Sequence, residues 1–277
     1  MTLQDPRPLL AAARAGGQGV GAFNVIQIEH AEAIVAGAER TGWPVVLQIS
    51  ENTVGYHRGL NGIGSASVAI AAAATVPVVV HLDHAESETL VDQAVALGFT
   101  SVMFDGAWLP YSENQARTGG VVARCHAAGV AVEAELGEVG GKDGAHAPGV
   151  RTDPGQAAAF VAATGVDSLA VAVGTSHAMS DRSAVVDLDL IKSLFEAVAV
   201  PLVLHGSSGV DDFGLAAAVA AGMTKINIAT RLNQVMTAVV RRILGADDDV
   251  TDPRKYLGPA RNAVADEVAV LLRLLHG

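Results

Sequence analysis

The sequence predicts a (β/α)8 (TIM) barrel, in which eight parallel strands alternate with helices. Eight short β-branched runs recur along the 277 residues, Ala-rich amphipathic segments separate them, and the runs end in polar or ionisable residues. The rival, a doubly wound open sheet, requires a glycine-rich phosphate turn after its first strand. "FNVIQIEH" (23–30) offers none.

Taken in order, "GVGAFNV" (19–25) reads as the first strand, with Asn24 near its end. "IEHAEAIVAGAERTG" (28–42) follows as a helix closed by Gly42, the residue that a helix C-terminus prefers. "PVVLQIS" (44–50) is the second strand and ends in Ser50. "PVVVHLD" (77–83) is the third, and its valine run suits a strand hidden on both faces. It surfaces as Asp83 and His84, after which "SETLVDQAVALG" (87–98) has a capping-box-like start and reads as a helix. "SVMFD" (101–105) ends in Asp105, and "VAVEAEL" (130–136) carries Glu135 near its end.

"GEVGGKDGAHAPGVRTDPGQ" (137–156) then interrupts the rhythm as a long glycine-rich loop. A loop of that length in a compact domain is usually functional or disordered, and here a mobile active-site lid is expected. "DSLAVAV" (167–173) leads to His177, "PLVLHG" (201–206) to His205, and "KINIA" (225–229) to Asn227 and Thr230. "GADDDVTDPRKYLGPAR" (245–261) reads as a turn-rich connection to a last helix, "NAVADEVAVLLRLLHG". The expectation is one barrel domain over 1–277, with residues 245–277 as a C-terminal extension.

Composition narrows the function classes. Half the residues are hydrophobic and 17% are charged, enough apolar material for a large core. The net charge is −11 and no Lys/Arg run exceeds Arg241–Arg242, which argues against nucleic-acid or anionic-membrane partners. The single cysteine, Cys125, precludes an internal disulfide and fits a reducing compartment. "MTLQDPRPLLAAARAGG" is broken by Pro6 and Pro8 and lacks a signal-peptide core, and no apolar stretch is long enough to span a bilayer. A cytoplasmic protein is expected.

In this fold, residues at the C-terminal ends of strands face the active site. That rule brings Asn24, Ser50, Asp83, His84, Asp105, Glu135, His177, His205, Asn227 and Thr230 to one mouth. Singly each has a plain alternative: a solvated carboxylate, a surface histidine, or Asp83 as a helix cap. Three imidazoles without thiolates, His84, His177 and His205, suit a catalytic Zn²⁺ with an open position. His81 is expected on the opposite face of its strand. "HGSSG" (205–209) and "NIATR" (227–231) follow strands seven and eight, where barrels bind phosphate through backbone N–H groups.

These residues resemble the class II, metal-dependent ketose-bisphosphate aldolases. The matching segments are "AFNV", "HLDHAES", "SVMFDGA", "VEAELGEVGG", "TGVDSLAVAVGTSHA", "PLVLHGSSGV", "KINIAT" and "DPRKYLGPAR", in family order from residue 22 to residue 261. The resemblance implies cleavage of fructose or tagatose 1,6-bisphosphate to dihydroxyacetone phosphate and glyceraldehyde 3-phosphate. His84, His177 and His205 are then the zinc ligands and Asp83 the acid/base. Asp105 and Glu135 match a second metal position, for a further divalent or a monovalent cation. Gly206, Ser207, Ser208, Asn227, Ile228, Ala229 and Thr230 hold dihydroxyacetone phosphate, and Asn24 and Ser50 touch the rest of the substrate. A homodimer or homotetramer is implied, with Arg254 reaching a neighbour's phosphate.

Two positions depart from the family pattern. Ala178 stands where glycine usually follows the second ligand, at the phosphate end of the site. Asp143 stands in the long loop where the family has the Glu that shuttles the C–H proton. A Schiff-base aldolase is disfavoured, because the lysines are Lys142, Lys192, Lys225 and Lys255, and Lys225 is expected at the far end of the eighth strand. Other readings are an aldolase for another phosphorylated keto sugar acid and a non-catalytic sugar-phosphate-binding accessory subunit.

Overall fold

The predicted runs form strands β1 (Val20–Asn24), β2 (Val45–Ser50), β3 (Val78–Ala85), β4 (Ser101–Phe104), β5 (Ala131–Leu136), β6 (Ser168–Val171), β7 (Leu202–Leu204) and β8 (Met223–Ile228). They pair in chain order, all parallel, and β8 closes on β1 in a complete barrel. The structure, a computed structural model, describes residues 2–137, 150–175, 182 and 184–277.

Period-two alternation decides what each strand presents to either side. In β3, Val78, Val80 and Leu82 join the apolar layer under the helices, whereas Val79 lies inside the barrel. Helix α1 (Pro6–Gly16) plugs the N-terminal end, where Leu10 and Ala13 pack on Val20, Ala22, Val46 and Val79. The prolines expected to break this segment open a helix instead. Pro6 stands in its first turn, where N–H groups have no helical partner to lose, and Asp5 caps it by accepting from Arg7 N–H at 2.9 Å.

The C-terminal helix is longer than expected. It runs from Pro253 to His276 and absorbs most of the stretch read as a turn-rich connection. Asp252 caps it by accepting from Arg254 N–H, and Pro253 supplies a preset first turn. Pro259 removes one internal bond without ending the helix. Val264, Val268, Leu271 and Leu272 are buried along this helix, which packs on α2 (Ile28–Thr41). Gly37 makes the close approach possible, since a Cβ there would lie 2.7 Å from the Ala265 carbonyl oxygen.

The expected loop 137–156 is shorter at its far end, because α7 (Pro154–Thr164) begins inside it, capped by Asp153. Residues 138–149 of that loop lie outside the described residues. Among the described residues no helix is long and apolar enough to cross a membrane.

Candidate metal centre

Above the plug the barrel interior turns polar, and β3 shows how two adjacent residues both reach it. Regular pleating sends His81 and Asp83 inward and would turn His84 toward the helices. His84 instead has φ +51°, and the pairing of β3 with β4 shifts register between Leu82 and Ala85. That left-handed residue, which costs a non-glycine on the order of 1–2 kcal/mol, turns the imidazole to the mouth beside Asp83. His84 Nδ1 lies 2.7 Å from Asp105 Oδ2, and its ring meets the ring of His205 edge-on, centroids 4.4 Å apart.

His205 is fully buried at the end of β7. Its Nδ1 lies 2.8 Å from Glu135 Oε2 and its Nε2 3.1 Å from Glu133 Oε1. Burial works against its protonation, but the hydrogen bonds its ring donates to the Glu133 and Glu135 carboxylates prevail and raise its pKa to about 9. Asp83, 3% exposed, accepts from Asn227 Nδ2 at 3.2 Å. Burial pushes its carboxyl up, yet the neighbouring His84, Lys225 and His205 charges outweigh this and hold it below the usual carboxylate range. The helix-cap alternative for Asp83 fails, because Ser87 caps α5 (Glu88–Ala96).

Among the described residues, two groups of ligand atoms each lie within 4.8 Å of one another: Asp83, His84 and His205, and then His84, Asp105 and Glu135. Imidazole nitrogens and carboxylate oxygens without sulfur form a donor set that fits a borderline or hard divalent cation. The expected third imidazole, His177, lies outside the described residues, as do Ala178 and Asp143.

The strand-seven and strand-eight loops meet beside this centre. Gly206, at φ +66°, turns the chain into a short 3-10 segment, Ser207–Gly209, which includes Ser208. Ser207 Oγ donates to the Asn227 carbonyl, which ties the two loops together. Ile228 is buried, and Ala229 precedes α10 (Thr230–Leu244), so Thr230 opens that helix. Asn24 Oδ1 accepts from Gln48 Nε2 at 2.6 Å, and Ser50 pairs in register with Asp83 while capping α3 (Glu51–His57). Arg254 is 90% exposed and ion-paired with Asp252. It lines a hollow of about 810 Å³ with Gln27, Ile28, His57 and Arg261, on the rim.

Two expectations are corrected. His81 shares the inward face of Asp83, with Nδ1 2.8 Å from Ser101 Oγ. Burial, then the Lys225 charge, pushes its pKa down to about 3, so the ring is neutral. Lys225 does not lie at the far end of the barrel. Its ammonium sits inside, 2.9 Å from Glu133 Oε2 and 3.5 Å from His81 Nε2, and at 2% exposure it is committed to that ion pair. Burial disfavours the Glu133 carboxylate, but Lys225 and the hydrogen bond to His205 hold its pKa well below the usual range. The sequence reading passed over Glu133, although it lies two residues before Glu135 on the same strand face. Period two carries that signal.

From residue 4 to residue 277 the chain matches the family described as "Fructose-bisphosphate aldolase class-II". It is 38% identical over 278 residues to a probable fructose-bisphosphate aldolase of Bacillus subtilis, covering 99% of this chain and 97% of that one. A fructose-bisphosphate aldolase of Staphylococcus epidermidis is 37% identical with the same coverage. Among solved structures, the YdjI aldolase of Escherichia coli K12 superposes with a TM-score of 0.86 at 32% identity, over 99% of this chain and 97% of that chain.

Proposed function

The chain belongs to the class-II fructose-bisphosphate aldolase family and is thereby a carbon–carbon lyase, and from that premise we propose that it is a zinc enzyme cleaving fructose 1,6-bisphosphate reversibly to dihydroxyacetone phosphate and glyceraldehyde 3-phosphate. The observation that carries the proposal is the turn at His84, which sets Asp83, His84 and His205 on one interior face within 4.8 Å. His84 and His205, with His177, are the proposed zinc ligands. A bound Zn²⁺ supplies Lewis acidity at the substrate's ketone oxygen. His84, Asp105 and Glu135 form the proposed position for a second divalent or a monovalent cation.

Asp83 takes the proton of the C4 hydroxyl as the bond to C3 breaks, and returns it in the synthetic direction. Its depressed pKa supports this role, because the group is ionised and ready to accept at neutral pH. The Asn227 amide holds it in place. Gly206, Ser207, Ser208, Ala178 and the segment from Asn227 to Thr230 cradle the phosphate of the dihydroxyacetone half, Ser50 and Asn24 touch the remaining hydroxyls, and Asp143 moves the C–H proton. Arg254 serves the distal phosphate of a neighbouring copy in a homodimer or homotetramer of a cytoplasmic enzyme. Its exposure on the rim supports that role.

A panel of fructose 1,6-bisphosphate, tagatose 1,6-bisphosphate and a phosphorylated deoxy keto sugar acid tests the substrate. The expected result is the highest kcat/KM on fructose 1,6-bisphosphate, read as dihydroxyacetone phosphate released. Preference for another member reassigns the substrate, and silence on all three supports a binding subunit.

A further inference from the structure

His205 carries a carboxylate on each ring nitrogen, Glu135 on Nδ1 and Glu133 on Nε2. A ligating imidazole needs a lone pair on one nitrogen and uses the other as a hydrogen-bond donor. Two observations decide which nitrogen does which. Glu135, whose Oε2 meets Nδ1, belongs with His84 and Asp105 to one group of candidate ligands, and His84 links that group to the one containing His205, so the Nδ1 side of the ring faces the metal centre. Glu133 belongs to neither candidate group. Its Oε2 takes the Lys225 ammonium at 2.9 Å and the Ser168 hydroxyl at 3.4 Å, leaving Oε1 on His205 Nε2.

We infer that Glu133, clamped by Lys225, is a positioning residue that holds the proton of His205 on Nε2 and so presents Nδ1 to the metal. The inference rests on the proposed metal centre. Burial makes the clamp effective: Glu133 and Lys225 are 1% and 2% exposed, so water does not compete for either group. Three strands cooperate, with β5 supplying the acceptor, β7 the imidazole and β8 the cation. Lys225 cannot move without leaving the carboxylate unpaired inside the barrel, where an isolated charge is heavily penalised. Its second neighbour, neutral His81, is held in turn by Ser101.

The test measures metal binding apart from turnover. Single substitutions would strand a buried charge, so two charge-balanced doubles are compared, Glu133→Gln with Lys225→Met and Glu133→Leu with Lys225→Met. Each is stripped, its fold checked by circular dichroism, and titrated with Co²⁺ against a chelator. The leucine double should bind Co²⁺ at least ~10-fold more weakly, the range for lost partners of metal-ligating histidines, with an altered visible spectrum. The glutamine double, which keeps an acceptor oxygen, should fall between it and wild type. Wild-type affinity and spectrum in both doubles would overturn the inference, while absence of metal binding by wild type would overturn the metal centre itself. A measurement on the unmutated, zinc-loaded protein with ¹⁵N-histidine stands if a variant fails to fold. His205 should carry its proton on Nε2, and a proton on Nδ1 refutes the clamp.

Discussion

Replacing Asp83 by Asn removes a base while keeping nearly the same volume. The Asn227 amide donates to Asp83 Oδ1 at 3.2 Å, and an asparagine carbonyl can still accept that bond. Asp83→Ala instead leaves a buried donor without its partner, which costs about 1–3 kcal/mol. The two variants should therefore differ in stability, with Ala the less stable. They should agree in catalysis, because neither accepts the C4 hydroxyl proton. A positioned acid/base group contributes roughly 10²–10⁴-fold, or about 2.7–5.5 kcal/mol of barrel-mouth catalysis. Initial rates of dihydroxyacetone phosphate release give kcat, zinc content is read by atomic emission, and thermal melts give the stability difference. Both variants should retain zinc, since the proposed ligands His84, His177 and His205 are all left in place. An Asn variant that keeps more than a tenth of wild-type kcat would refute the proton role, and one that loses its metal would make Asp83 a ligand.

Asp143→Ala should suppress exchange of solvent deuterium into dihydroxyacetone phosphate far more than it weakens substrate binding, and Asp143→Glu should speed that exchange. Unchanged exchange in the Ala variant would move the proton role elsewhere. Arg254→Ala should raise KM for the bisphosphate by about tenfold or more, with a melting temperature near wild type, since exposed ion pairs contribute roughly 0–1 kcal/mol. A monomer with full activity by sedimentation would remove the neighbour-supplied role. Cys125 is buried and its thiol is pushed up to about 11 by that burial, so native protein should resist a thiol reagent at pH 8 and react once unfolded. The folded state binds that proton more tightly than the unfolded state. Its contribution to stability is thus complete below the ordinary thiol range and declines as pH climbs toward 11.

Most of the barrel was legible because buried parallel strands must be β-branched and continuous, and the mouth because strand ends must expose what the core excludes. Asp83, Asp105, Glu135, His205 and Asn227 were found by that reasoning, and the structure brings them together. The inward turn of His84 was not legible, since alternation alone sends neighbours to opposite faces and only the φ of +51° reveals the exception. Glu133 and Lys225 were hidden for a different reason. They lie one layer below the mouth, where a rule about strand ends does not look, although their spacing from Glu135 and Asn227 places them on the inner face. The helical start at Pro253 was masked because proline, aspartate and glycine read as turn residues, while Asp252–Pro253 is also a helix-initiating pair. His177 rests on the strand-end rule and the resemblance, and Asp143 on the resemblance alone, since both lie outside the described residues.

Metal-dependent aldol cleavage is tested most directly by removing the metal. Protein freed of metal with a chelator should cleave no fructose 1,6-bisphosphate, regain activity stoichiometrically with added Zn²⁺, and yield no covalent adduct when borohydride is added with substrate. Full activity after verified metal removal, or a borohydride-trapped lysine at position 225, would contradict the account.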